Sequence, residues 1–181
     1  MDDIRKEIIN CNKCNLCNDR QNAVPGEGDI KSKILFIGEA PGENEDREGI
    51  PFCGRSGKFL DELLASINLR RKDVFITNIV KCRPPKNRDP LEEEIKSCSP
   101  YLKIQIKLIN PNVICTLGRY SASLFLKDKK ISQIHGKVFK YGNYKIIPLY
   151  HPAVGLYNPN MKPILREDFQ IVKTMIMTSS I

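Results

Sequence analysis

Residues 34–57 read ILFIGEAPGENEDREGIPFCGRSG, and their pattern decides the fold. Ile34-Leu35-Phe36-Ile37 is an unbroken apolar run, which suits a strand covered on both faces. Gly38-Glu39-Ala40-Pro41-Gly42 closes it as a turn-forming cluster. The acidic run from Glu43 to Glu48 reads as loop, in a chain that is basic overall. After Pro51-Phe52-Cys53-Gly54, the residues Phe59, Leu60, Leu63, Leu64 and Ile67 recur at helical spacing and predict a helix over 56–68. An acidic, glycine-punctuated loop at the carboxyl end of a buried strand is where an open α/β sheet puts its chemistry. A solvated loop joining a strand to a helix would carry the same composition.

Outward from this unit the alternation continues. Residues 73–79 (DVFITNI), 112–117 and 144–150 read as further strands, and 132–139 as loop and strand. Residues 2–9 form a short helix, with Ile4, Ile8 and Ile9 on one face. The segment KCRPPKNRDP over 81–90 cannot be regular structure with its three prolines. Asp89 suits an N-cap and Pro90 a first helical residue, opening a helix that runs to about Ile109. Gly118 opens another helix to about Leu126, and 159–177 is mostly helical. Strands alternating with helices predict a three-layer α/β/α sandwich with a central, mainly parallel sheet. At 181 residues, the chain reads as one domain over 1–181, with a Cys-rich segment near its start.

Lys and Arg number 29 against 21 Asp and Glu, for a net charge of +8. That favours a polyanionic partner, nucleic acid first, although a generally Lys-rich surface would give the same balance. No apolar run approaches a membrane span, and MDDIRKEIINC has no signal-peptide core, so a reducing cytoplasm is expected. Tryptophan is absent, so any stacking on a base falls to Phe, Tyr, His or Arg.

Seven cysteines in a reducing compartment argue for metal rather than disulfides. Cys11 and Cys14, with the distant Cys82 and Cys98, make a four-thiolate set that fits zinc or an iron–sulfur cluster. Cys17 extends the first pair into a CxxCxxC rhythm and leaves the ligand set open. Cys53 and Cys115 read as packed thiols. Arg83, Lys86 and Arg88 flank Cys82, which suggests a phosphate-contacting loop held rigid by metal.

Four residues fall at or just past strand ends: Glu39, Phe52 on the same loop, Asn78, and His151 in Tyr150-His151-Pro152. Each alone could be a cap, a core ring or a turn residue. Together they suggest a site at the carboxyl edge of the sheet.

The ordered set CNKC, VPGEG, GEAPGENED, GIPFCGRSGKFL, ITNIVKCRPPKNR, INPNVICTLG and IIPLYHP resembles the family 4, iron–sulfur type uracil-DNA glycosylases over nearly the whole chain. The resemblance implies a monofunctional base-excision repair enzyme. It would flip uracil from single- or double-stranded DNA and hydrolyse its N-glycosidic bond, working as a monomer away from membranes. It implies a [4Fe–4S] cluster on Cys11, Cys14, Cys82 and Cys98, without Cys17. Phe52 would stack on the flipped base, Asn78 would read its O4/N3 edge, and His151 would bond O2. Glu39 would position water and stabilise the sugar cation, beside the Ala40-Pro41-Gly42 turn and Glu45, which shapes the pocket. Arg83, Lys86 and Arg88 would contact DNA, and Leu156 in HPAVGLYNP occupies the place of a wedge leucine. The rival readings are a related glycosylase of other base preference, a non-catalytic iron–sulfur DNA-binding module, and an unrelated zinc protein.

Overall fold

The computed structural model describes residues 1–178. Six strands form one sheet in the order β1-β3-β2-β4-β6-β5. These are β1 (Glu27–Gly28), β2 (Ile34–Gly38), β3 (Phe75–Asn78), β4 (Val113–Leu117), β5 (Phe139–Tyr141) and β6 (Tyr144–Leu149). The four inner strands are parallel, and β1 and β5 close the two edges antiparallel. Every residue of β2 and β4 is buried, as their apolar runs require of strands covered on both faces.

The faces alternate residue by residue. Leu35 and Ile37 of β2 pack with α1 (Asp2–Ile9) and α5 (Glu92–Ile109). Ile34 and Phe36 pack on the other face with α4 (Arg55–Ser66) and α9 (Lys162–Thr178). Phe36 stacks on Phe169 at 5.9 Å, sealing that side. The three-layer α/β/α reading therefore holds.

From β2 the chain crosses through α4 to β3 on one side, then returns through α5 to β4 on the other. Connections leaving adjacent strands in opposite directions open a crevice at the strands' carboxyl ends, between β2 and β4. Gly38 registers with Asn78, Leu117 with Leu149, and the Gly118 N–H donates to Leu149 O at 2.9 Å. All four parallel strands thus deliver their following residues to one edge.

Three local expectations change. The acidic run is not a loop but the helix α3 (Glu43–Glu48), capped by Gly42 at its start and closed by Gly49 in the left-handed region. Its Asp46 is buried and accepts the backbone N–H groups of Gln21 and Asn22. Helix α5 starts at Glu92, not Pro90, because Glu94 turns back to accept the Leu91 N–H at 2.8 Å. Asp89 is left to bond Tyr120 and Arg119 instead. The segment after Gly118 is helical only through α6 (Arg119–Ser123), and α7 (Ile131–Ile134) occupies part of the stretch read as loop. The segment at the chain's start also holds a short helix, α2 (Leu16–Asp19). No described helix is long and apolar enough to cross a membrane.

Candidate active site and cysteine centre

At the carboxyl edge the structure brings together five of the expected site residues. Ala40, Glu45, Phe52, Asn78 and His151 line one cavity of about 210 Å³. A second, of about 210 Å³, adjoins it and adds Glu39, Pro41 and Arg88 around Ala40 and His151. Asn87 borders both and was not anticipated.

Gly38 makes this convergence possible. A Cβ there would lie 2.3 Å from Asn78 Oδ1 and 2.7 Å from the Phe52 ring, so only glycine lets the amide and the ring close over the strand end. Phe52 is buried and sits at φ 50, a left-handed conformation that costs a non-glycine residue about 1–3 kcal/mol. Arg71 holds that turn. Its guanidinium donates to Phe52 O at 3.1 Å and to Pro51 O, and pairs with Asp61 at 3.1 Å and Glu27 at 3.3 Å. From the other side Glu45 accepts the N–H groups of Gly42 at 3.1 Å and Gly54 at 2.9 Å. Both of its oxygens are occupied in joining the Ala40 turn to the Phe52 turn, so Glu45 shapes the cavity through its backbone. Cys53, beside it, is partly buried, while Cys115 lies fully inside the core.

Asn78 is 1 % exposed, and its Oδ1 has no hydrogen-bond partner among the described residues. Such an amide in a cavity wall has hydrogen-bonding capacity that the protein itself does not use. His151 faces the same space, its ring 5.6 Å from that of Phe52. The Ala153 N–H donates to His151 Nδ1 at 3.2 Å, which fixes Nδ1 as acceptor and places the proton on Nε2. Burial pulls the imidazole down to about 4, against a small opposing pull from Glu45, so it is neutral near pH 7. The ring is therefore a hydrogen-bond donor, not a cation.

Glu39 responds in the opposite direction. Burial first, then the neighbouring Asp89, push its carboxyl up to about 7, and Arg119 opposes them. Asp89, Tyr120 and Arg119 form a hydrogen-bonded group at this mouth. They reach Glu39 because β4 lies beside β2, which no local pattern reveals.

The basic loop divides. Arg88 makes a two-point pair with the buried Glu94, at 2.9 and 2.6 Å, and is committed within the protein. Arg83 donates to Asn87 Oδ1 at 2.7 Å and lies 3.8 Å from Glu43. Lys86 is exposed, at φ 55, with no ion pair among the described residues. Leu156, expected to project, packs half-buried against the α4–α9 layer in α8 (Ala153–Tyr157). Gly155 lets α8 lie against Phe59, and it is the next residue, Tyr157, that stands 90 % exposed.

Cys11, Cys14, Cys17, Cys82 and Cys98 line one shared cavity, with Arg20 and Lys81 also in its wall. Among the described residues no three His, Cys, Asp or Glu side chains are gathered as a site for a single metal ion. Burial pushes the Cys82 thiol up to about 11, so it ionises readily only where a metal or cation offsets that burial. Arg20 supplies part of that charge, donating to Cys82 Sγ at 3.0 Å. Thiols from three separate segments around one space, with a guanidinium beside them, fit a multi-iron group.

The uracil DNA glycosylase superfamily model matches residues 25–171. The chain is 51% identical to a type-4 uracil-DNA glycosylase of Saccharolobus solfataricus, over 100% of this chain and 88% of that one. It is 49% identical to the type-4 enzyme of Archaeoglobus fulgidus, over 94% and 90%. This chain belongs to the uracil DNA glycosylase superfamily, in its type-4 branch. A type-5 uracil-DNA glycosylase of Pyrobaculum aerophilum is more distant, at 27% identity over 84% of this chain and 82% of that one.

The Glu39 shift carries a stability consequence. A carboxyl whose folded value is raised binds its proton more tightly in the folded state. Its contribution is therefore full below the ordinary 4.5 and is lost as pH rises toward about 7. Glu39→Gln should melt higher than the parent at pH 8 and level with it at pH 4. Equal melting temperatures at pH 8 would contradict the burial of this charge.

Proposed function

We infer that this chain, like the family it belongs to, excises uracil from DNA by hydrolysing the N-glycosidic bond and leaving an abasic site, and we propose the following roles for its residues. The observation that carries the reading is the buried amide of Asn78, its Oδ1 without a partner among the described residues, in the wall of the cavity that Phe52 and His151 also line. The target bond is hidden in a duplex, so the nucleotide leaves the stack to reach a pocket of this depth. Uracil stacks on Phe52. Asn78 accepts from N3–H and donates to O4, a pattern that cytosine reverses. A pocket built on such a polar pair rejects the wrong base strongly.

As the bond breaks, the sugar takes on oxocarbenium character and the leaving base gathers charge on O2. His151 donates Nε2–H to that oxygen, and it needs no protonation to do so. Glu39, ionised, favours the sugar cation and positions the attacking water. Its partial burial makes the charge effective and also raises the pH at which it appears.

Lys86 and the exposed face of Arg83 meet phosphates, while Arg88 acts by holding the loop on Glu94. On α8, Tyr157 is better placed than Leu156 to meet a neighbouring base, since Leu156 is held in the apolar layer. Cys11, Cys14, Cys82 and Cys98 hold a [4Fe–4S] cluster in this reading, with Cys17 as a fifth thiol at its rim. When bound, the cluster staples the N-terminal segment to the loop after β3 and to α5. A reducing cytoplasm, a single domain and a monomer accord with that centre.

Purified protein should release free uracil from a uracil-containing oligonucleotide, leave an alkali-labile site, and spare the matching thymine strand. Failure to generate such a site in either strand context would overturn the assignment. The single-turnover rate should climb as pH rises through about 7 and then level, following Glu39. A rate unchanged from pH 5.5 to 8 (values about those set by the raised carboxyl) would remove Glu39 from the chemistry.

A further inference from the structure

Lys81 belongs neither to the cysteine set nor to the base cavity, yet it lies between them. It lines the cysteine cavity and immediately precedes Cys82. Its side chain is 1 % exposed, and it is the one cation among the described buried polar residues. The ammonium donates to Thr77 Oγ1 at 2.6 Å, to Gln105 Oε1 at 2.7 Å, and to the backbone carbonyl of Asn78 at 2.7 Å. All three donors of the group are used and none meets a carboxylate. A buried ammonium hydrogen-bonded only to neutral acceptors, with the Cys98 sulfur as its one favourable charge nearby, is costly, and an apolar side chain would fill the space more cheaply. Its retention calls for a role beyond packing.

The acceptors indicate that role. Thr77 and Asn78 are the last two residues of β3, where the strand leaves the sheet. Gln105 stands on α5. Gln105 Nε2 and Thr77 Oγ1 both reach Pro25 O, at 2.6 and 3.1 Å, so the network joins three segments. Past Asn78 the backbone is held by Ile79 N–H on Gly38 O at 3.0 Å and Val80 N–H on Glu39 O at 3.2 Å. The Asn78 carbonyl belongs to the same peptide unit as the Ile79 N–H, so Gly38 O holds one end of that plane and the Lys81 ammonium the other. Turning that peptide plane would swing the Asn78 side chain.

We propose that Lys81 is the positioning residue for Asn78, its ammonium holding the Asn78 carbonyl so that the unpaired amide oxygen faces the base. The inference rests on the reading of Asn78 as the base-recognising residue. It adds a specificity-determining residue that never touches substrate. The coupling is direct, because the contact is to the backbone of the reading residue itself.

The test separates positioning from stability. Lys81→Met should lower the melting temperature and weaken the binding of free uracil about tenfold, the scale of one lost charged hydrogen bond. Lys81→Met with Gln105→Leu removes the ammonium together with one of its acceptors, and Thr77 still satisfies Pro25 O. This double variant should regain much of the melting temperature and keep the weakened uracil binding, followed by NMR titration with free uracil. Uracil affinity that returns with stability would overturn the proposal. Gln105→Leu alone leaves the Lys81–Asn78 contact and should melt lower with uracil affinity unchanged. A tenfold loss in that variant (about that of Lys81→Met) would assign the effect to general loosening and would also overturn it. Asn78→Ala serves as the reference. If it binds uracil as tightly as the parent, the base-reading assignment itself fails, whatever the Lys81 variants do.

Discussion

The register that sets Gly38 beside Asn78 governs every other distance in this molecule's site. Two parallel strands end together, one on a residue without a side chain and the other on an amide. The space that Gly38 leaves admits both the Phe52 ring and the Asn78 oxygen. Any side chain at residue 38 would push them apart. The strained turn at Phe52 follows from this, since the ring must come back over the strand end within a short loop. Arg71 and Glu45 hold that turn from opposite sides through backbone groups, and so determine pocket shape. Strain persists where the surroundings over-determine it, and four charge-assisted contacts to backbone groups do so here.

A second consequence is electrostatic. The same burial moves Glu39 and His151 in opposite directions, each toward its neutral form. For His151 this is an advantage, because a neutral imidazole with a fixed tautomer is a ready donor at every physiological pH. For Glu39 it is a cost in the proposed role, which needs the charge. The group formed by Asp89, Tyr120 and Arg119 adjusts that cost at the mouth of the cavity. Residues whose environments drive them apart in this way are a physical sign of divided acid–base roles.

Much of the architecture was legible because apolar runs and helical spacing follow directly from burial. Strand β2, the helix at 55–66 and the long helix carrying Cys98 emerged with shifted ends only. Glu39, Phe52, Asn78 and His151 could be read as a group because a parallel sheet delivers strand-end residues to one edge. Helix α3 was hidden because its residues carry no apolar stripe, and its existence depends on the Glu45 cap and the Gly49 terminus. Arg71 and Arg119 were hidden because the partners that bring them to the site, Phe52 and Asp89, lie 19 and 30 residues away. Arg88 looked free because its partner sits on the next element, and nothing local marks Lys81 as buried. In each case the missing knowledge was which charge is already satisfied inside the protein, and that is a property of the packed chain.

A crystal structure of the protein soaked with free uracil bears most directly on the central claim. The account predicts the ring stacked against Phe52, N3 within hydrogen-bond distance of Asn78 Oδ1, and O2 facing His151 Nε2, with the Asn78 peptide unmoved. Uracil bound elsewhere, or turned so that Asn78 Oδ1 stays unpaired, would contradict it.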